Sequence, residues 1–145
     1  MDAKICFGAD HCGYEMKQIL KKRIQEKCVI SKDFGTHSNE SVDYPVFAHL
    51  VAVAIENREY DFGILVCGSG QGMAITANKH QEIRAALCWN KSIAALARQH
   101  NDANILVLPS RFLTFSQAIE ITEVFLMTEF EGGRHKNRID KISPL

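Results

Sequence analysis

Short apolar runs alternate with helix-period segments along almost the whole chain, and this restricts the fold more than any single residue does. "KICFGA", "CVISKDFG", "DFGILVCG", "IRAALC" and "ANILVLP" read as strands. Between the first two lies "GYEMKQILKKRIQEK", an amphipathic helix with Met16, Ile19, Leu20 and Ile24 on one face. "VDYPVFAHLVAVAIEN" follows the second strand, with Pro45 suited to a helix's first turn. "GMAITANKH", "KSIAALARQHN" and "TFSQAIEITEVFLMTEF" supply the later helices. The third strand is apolar without interruption, as expected when both faces of a sheet are covered. The pattern predicts an α/β fold: a doubly wound five-stranded parallel sheet with helices on both faces, as one domain over residues 1–145. "EGGRHKNRIDKISPL" breaks at Gly132 and Gly133 and restarts as a polar, helical tail.

Charge narrows the function. Seventeen Lys and Arg balance seventeen Asp and Glu, which argues against a broad nucleic-acid or membrane surface but leaves room for a local phosphate site. No apolar run is long enough to span a bilayer, and none near the start has the form of a signal peptide. Cys6, Cys12, Cys28, Cys67 and Cys88 are odd in number and form no CxxC pair, so reduced thiols in a cytoplasmic protein are expected.

In doubly wound folds ligands bind beyond the carboxyl ends of the strands. The residues there are Asp10 and His11, Gly35 and Thr36, Cys67 to Gly72, Cys88 to Lys91, and Pro109 to Arg111. Cys67 stands where a strand gives way to a helix, and helix-start N–H groups lower a thiol's pKa, so this position predicts a stabilised thiolate. The alternative is an inert core cysteine, which is the reading for Cys6, Cys28 and Cys88. Gly68, Gly70 and Gly72 let backbone amides converge on an anion. Their spacing is not the dinucleotide fingerprint, and no Lys-Ser/Thr pair follows as in a P-loop. Met73 stands where a cysteine phosphatase needs its arginine.

His11 offers a phosphate contact, and Asp10 either caps the next helix or orients a hydroxyl or a histidine. His100, with Asn101, ends a helix, where a histidine is often only a dipole partner. Arg111 follows the fifth strand, and Arg134, His135 and Arg138 cluster in the tail. These are either a solvated surface or a phosphate clamp.

The motifs "GADHCGYEMK", "VDYP", "CGSGQGMAITANK", "ARQHNDANILVL" and "EGGRHKNRIDKI" fall in order across nearly the whole chain. Together they resemble the ribose-5-phosphate isomerase B family, which includes the galactose-6-phosphate isomerase subunits. The resemblance implies a Rossmann-like sheet and aldose–ketose isomerisation of a phosphorylated sugar in the pentose phosphate pathway, without metal or cofactor. It also implies a homodimer, in some members paired into a tetramer, with active sites completed across the interface. Carried over to these positions, Cys67 is the base at C2 of the open-chain sugar and His100 helps to open the ring. Gly68, Ser69, Gly70, Gln71 and Gly72 form the anion hole, with the Ser69 hydroxyl assisting at the enediolate oxygens. Asp10 contacts a substrate hydroxyl; Asn101, Arg111, Arg134 and Arg138 contact substrate and phosphate; His11 and Tyr44 line the pocket. Two residues depart from the family pattern: Pro109, which stands where a glycine or small residue is usual and bears on the backbone leading to Arg111, and Cys12.

Three other readings stand beside ribose 5-phosphate. A six-carbon substrate such as galactose or allose 6-phosphate fits the same motifs. A phosphate- or nucleotide-binding module would keep the glycine turn but have no use for Cys67 and His100. A silent partner subunit would not need the thiol.

Overall fold

The computed structural model describes residues 2–27 and 30–144, so Cys28, expected as a core thiol, lies outside the described residues. The chain runs β1 (Lys4–Ala9), α1 (Tyr14–Gln25), β2 (Ile30–Asp33), α2 (Tyr44–Glu56), β3 (Phe62–Cys67), α3 (Gln71–Ala77), β4 (Ala85–Leu87), α4 (Lys91–Asn101), β5 (Ile105–Pro109), α5 (Phe115–Met127) and α6 (Arg134–Ile139). All strand pairings are parallel, in the order β2-β1-β3-β5-β4. The predicted five-stranded parallel sheet and helical tail are therefore present.

The period-2 alternation of the strands divides the core. Phe7, Ile64, Val66, Leu106 and Leu108 face α1, α4 and α5. Cys6, Leu65, Cys67, Ile105 and Val107 face α2 and α3. Each of the large buried side chains contributes roughly 1.5–3 kcal/mol by leaving water. Observed elements are shorter than expected where side chains capture the backbone. Asn78 both donates to the Ala85 carbonyl (2.9 Å) and accepts its N–H (2.8 Å), ending α3 before Lys79 and turning the chain into the three-residue β4. Thr114 and Gln117 form a reciprocal capping box that starts α5.

Lys17 was not foreseen. It shares the buried face of α1 with Met16, Leu20 and Ile24, while the expected Ile19 is only partly covered. Its ammonium is fully buried and donates to both oxygens of Asp33 (2.7 and 2.6 Å) and to the Thr36 carbonyl (2.7 Å). Burial pushes Lys17 down from the usual ammonium range. Burial would raise Asp33, but hydrogen bonds from Lys17, Lys21 and the Gly35 N–H outweigh it and hold the carboxyl below its usual range. The Gly35–Thr36 peptide is cis, and this segment pairs with the end of β1: Ala9 N–H donates to Gly35 O and Thr36 N–H to Ala9 O, both at 2.7 Å. The buried ion pair thus braces the strand that delivers Asp10.

Candidate active site

β1, β3 and β5 end side by side, with Ala9 opposite Val66 and Cys67 opposite Pro109. One step beyond β1, the Asp10 carboxylate is buried, and its Oδ1 accepts the Gly13 N–H at 3.0 Å. Asp10 therefore braces the turn into α1, as the capping reading expected, and its other oxygen remains free to face Cys67. The Cys67 thiol donates to Asp10 Oδ2 at 3.4 Å. One oxygen thus supports the turn into α1, and the other meets the thiol.

The electrostatics correct the expected thiolate. Burial pushes the Cys67 thiol up to about 11, and the adjacent Asp10 charge raises it further than the Gly70 and Gly68 N–H groups lower it. The helix-start effect is present but smaller than the cost of a buried thiolate beside a carboxylate. In the isolated chain Cys67 is a protonated hydrogen-bond donor. Burial alone raises Cys88 to about 12, and Cys6 rises to about 12 mainly for the same reason, as core thiols should.

The glycine turn serves several purposes. Gly70 sits at φ 77°, a left-handed conformation that opens α3, and a Cβ there would lie 2.5 Å from Leu87. Gly72 makes room for the Tyr44 ring, whose carbon lies 2.3 Å from where a Cβ would stand. Its role is therefore close packing as well as part of the turn. Ser69 Oγ accepts the Gln71 N–H (3.2 Å), so the hydroxyl also supports the start of α3. His11 Nδ1 accepts the Val42 N–H (3.2 Å), joining the "VDYP" segment to the turn that follows β1.

Pro109 leaves Arg111 in place. As the last residue of β5 it gives up no interior ladder bond. The next residues lock onto the corner: Ser110 N–H donates to Cys67 O (2.8 Å), and Arg111 N–H donates to Gly68 O (3.0 Å). Ser110 Oγ adds a bond to Cys12 O (2.8 Å), a contact no sequence motif had marked. The exposed Arg111 side chain lies over Gly68 and donates to Cys12 Sγ at 3.3 Å.

His100, Asn101, Arg134 and Arg138 do not join this corner within one chain. They lie near the opposite edge, where Gly63 N–H donates to Asn104 O and Arg84 Nε donates to Asn101 O. The five residues of β5 separate the two edges by about 16 Å at ~3.3 Å per residue. Buried Arg98 fixes the end of α4 by donating to Asp102 Oδ1 (2.8 Å) and Ala103 O (2.7 Å). Here His100 stacks on His135 with ring centroids 4.3 Å apart, and both Nε2 atoms face Glu131. Arg134 and Arg138 are exposed and enter no ion pair among the described residues.

The Ribose/Galactose Isomerase family profile matches residues 5–142. The chain belongs to the ribose/galactose isomerase family. Ribose-5-phosphate isomerase B of Escherichia coli is 42% identical over 142 residues, covering 98% of this chain and 95% of that protein. The ribose 5-phosphate isomerase structure from Thermotoga maritima is 49% identical, with TM-score 0.95 and 97% of each chain covered. The Mycoplasma genitalium ribose-5-phosphate isomerase B structure with bound ribulose-5-phosphate is 45% identical, with TM-score 0.92, covering 96% of this chain and 93% of that one. Membership in the isomerase family spans both edges of the sheet, the one carrying Cys67 and the one carrying His100.

Proposed function

We propose that the chain is an isomerase interconverting D-ribose 5-phosphate and D-ribulose 5-phosphate. The observation that carries the reading is the corner where Cys67 Sγ meets Asp10 Oδ2 beside the N–H groups of Gly68 and Gly70. Cys67, as thiolate, takes the proton from C2 of the open-chain aldose. The C–H electron pair forms the C1–C2 double bond, and the carbonyl oxygen becomes an enediolate oxygen. Fixed N–H donors stabilise that charge, each worth roughly 3–4 kcal/mol in comparable sites. Return of the proton to C1, with a proton shift between the two oxygens, gives the ketose.

The reading requires two copies. Asp10, His11, Tyr44, Cys67 to Gly72 and Arg111 come from one chain; His100, Asn101, Arg134 and Arg138 come from the partner subunit. An apolar stripe supports this homodimer. Ile93 and Leu96, 45% and 42% exposed, share one face of α4 with His100, and Trp89, 48% exposed, stands just ahead of that helix. Trp89 continues onto exposed Phe112 (centroids 5.0 Å), next to Arg111. Pairing two α4 helices antiparallel buries this stripe and sets the His100 end of each beside the Cys67 edge of the other. Guanidinium groups arriving there favour the thiolate, opposing the rise that burial and Asp10 impose.

Among the described residues, no helix is long and apolar enough to cross a membrane. The proposal places the enzyme in the cytoplasm, where thiols stay reduced. The test is conversion of ribose 5-phosphate with chelator present, for the wild type and Cys67→Ala. Turnover that survives chelation and falls about 10²–10⁴-fold in the variant supports the reading. Equal turnover in the two removes Cys67 as the base, and turnover only on galactose or allose 6-phosphate moves the substrate to six carbons.

A further inference from the structure

We propose that His100, Glu131 and His135 form a transition-metal site, and that zinc bound there inhibits the enzyme by occupying His100. The ligating atoms of the three side chains all lie within 4.8 Å of one another. Glu131 Oε1 is 3.4 Å from His135 Nε2 and 3.8 Å from His100 Nε2. These separations are long for hydrogen bonds. They are close to the ~3.3 Å between ligand atoms around a tetrahedral zinc with bonds of about 2.0–2.1 Å.

The backbone brings the three side chains together independently of any ion, with the two imidazoles stacked 4.3 Å apart. Ligation turns the solvent-open His100 ring out of the stack until both Nε2 lone pairs meet at one point. Glu131 N–H donates to Gln99 O (3.1 Å), fastening the loop to the end of α4. Gly132 and Gly133, both at positive φ, turn the chain back, and His135 N–H donates to Gly132 O (3.2 Å). The His135 side chain is nine-tenths buried with its Nε2 toward the cluster, whereas His100 remains partly open to solvent. Two imidazoles and one carboxylate suit zinc, cobalt, nickel or copper and not magnesium or calcium, which take oxygen sets. Three protein ligands leave a fourth position for water.

An imidazole nitrogen bound to a metal has no lone pair left for protons. Zinc here would therefore remove the ring-opening group without touching Cys67. Inhibition rests on the role given above to His100; metal binding does not, so the two can fail separately.

The full-length wild type, Glu131→Gln and His135→Gln are titrated with Co²⁺, followed by visible absorption, and then with Zn²⁺ as competitor. The expected result is one tetrahedral cobalt per chain, displaced by zinc, without thiolate charge-transfer bands. Both variants should bind at least tenfold more weakly, and exposed Glu131 provides a substitution with little call on folding. In the isomerase assay, zinc should inhibit the wild type reversibly on chelation, and each variant should need at least tenfold more zinc for the same fractional loss. Unchanged affinity in both variants, or thiolate bands that vanish in Cys67→Ser, would overturn the site. Tight binding at the three residues with full activity would overturn the inhibition. Binding by a protein that turns over no sugar phosphate would leave the site standing and remove the function proposed above.

Discussion

The two edges of the sheet are built in different ways. At the carboxyl edge, Cys67 and Asp10 are buried at adjoining strand ends, braced by backbone bonds from Gly13, Ser110 and Arg111 and, through β1, by the Lys17–Asp33 pair. At the amino edge, His100, Arg134 and Arg138 stand on a helix end and a six-residue helix, with their side chains open to solvent. The first is buried and held by backbone bonds; the second presents charge and an imidazole outward. On the function proposed above, reaction geometry is set within one chain, while phosphate charge and ring opening come from another.

The largest effect should come from dividing the edges between chains. Cys67→Ala and His100→Asn homodimers should each lose about 10²–10⁴-fold in activity if both groups act in proton transfer. Mixing them by denaturation and refolding should restore about a quarter of wild-type turnover, because random pairing gives half heterodimers, each with one intact site. No recovery would sink the shared site.

Leu96→Glu comes next. A buried charge on the α4 stripe should give a folded monomer by light scattering, with activity lost although the carboxyl edge is untouched. A fully active monomer would show that one chain suffices.

The third prediction contrasts stability. Asp33→Asn leaves the Lys17 ammonium buried without its counter-charge and should cost roughly 3–5 kcal/mol in denaturant unfolding. Arg134→Ala should cost under about 0.5 kcal/mol, because it removes an exposed, unpaired side chain. Similar losses would erase the distinction between the edges.

The smallest effect is on titration. The Asp10 charge raises Cys67, so Asp10→Asn should lower the thiol from about 11 and move thiolate formation to lower pH, read by ultraviolet absorbance or alkylation rate. The raised thiols also contribute to pH-dependent stability. The unfolded value is 9.0 and the folded values are about 11 for Cys67 and about 12 for Cys6 and Cys88, so the unfolded chain releases protons first. Stability should be intact below pH 9 and fall as pH climbs through that window. A thiol that rises in Asp10→Asn would reverse the electrostatic account.

The elements were legible because strand alternation and helical periodicity are local, and α4 matches its predicted span, Lys91 to Asn101. Family motifs marked the residues of both edges. Lys17 escaped notice because a lysine on a helix normally extends to water; only the meeting of α1 with Asp33 and Thr36 makes its burial favourable. Cys67 was located correctly, yet its titration was misjudged, since a helix start is visible in sequence whereas burial and the approach of Asp10, 57 positions away, are not. The sequence alone determined the order of elements and the alternation of core faces, because each depends on near neighbours. Only the tertiary structure decided that the expected site residues stand at two opposite edges. Strand order and helix direction set that separation through long-range packing, which no local spacing encodes.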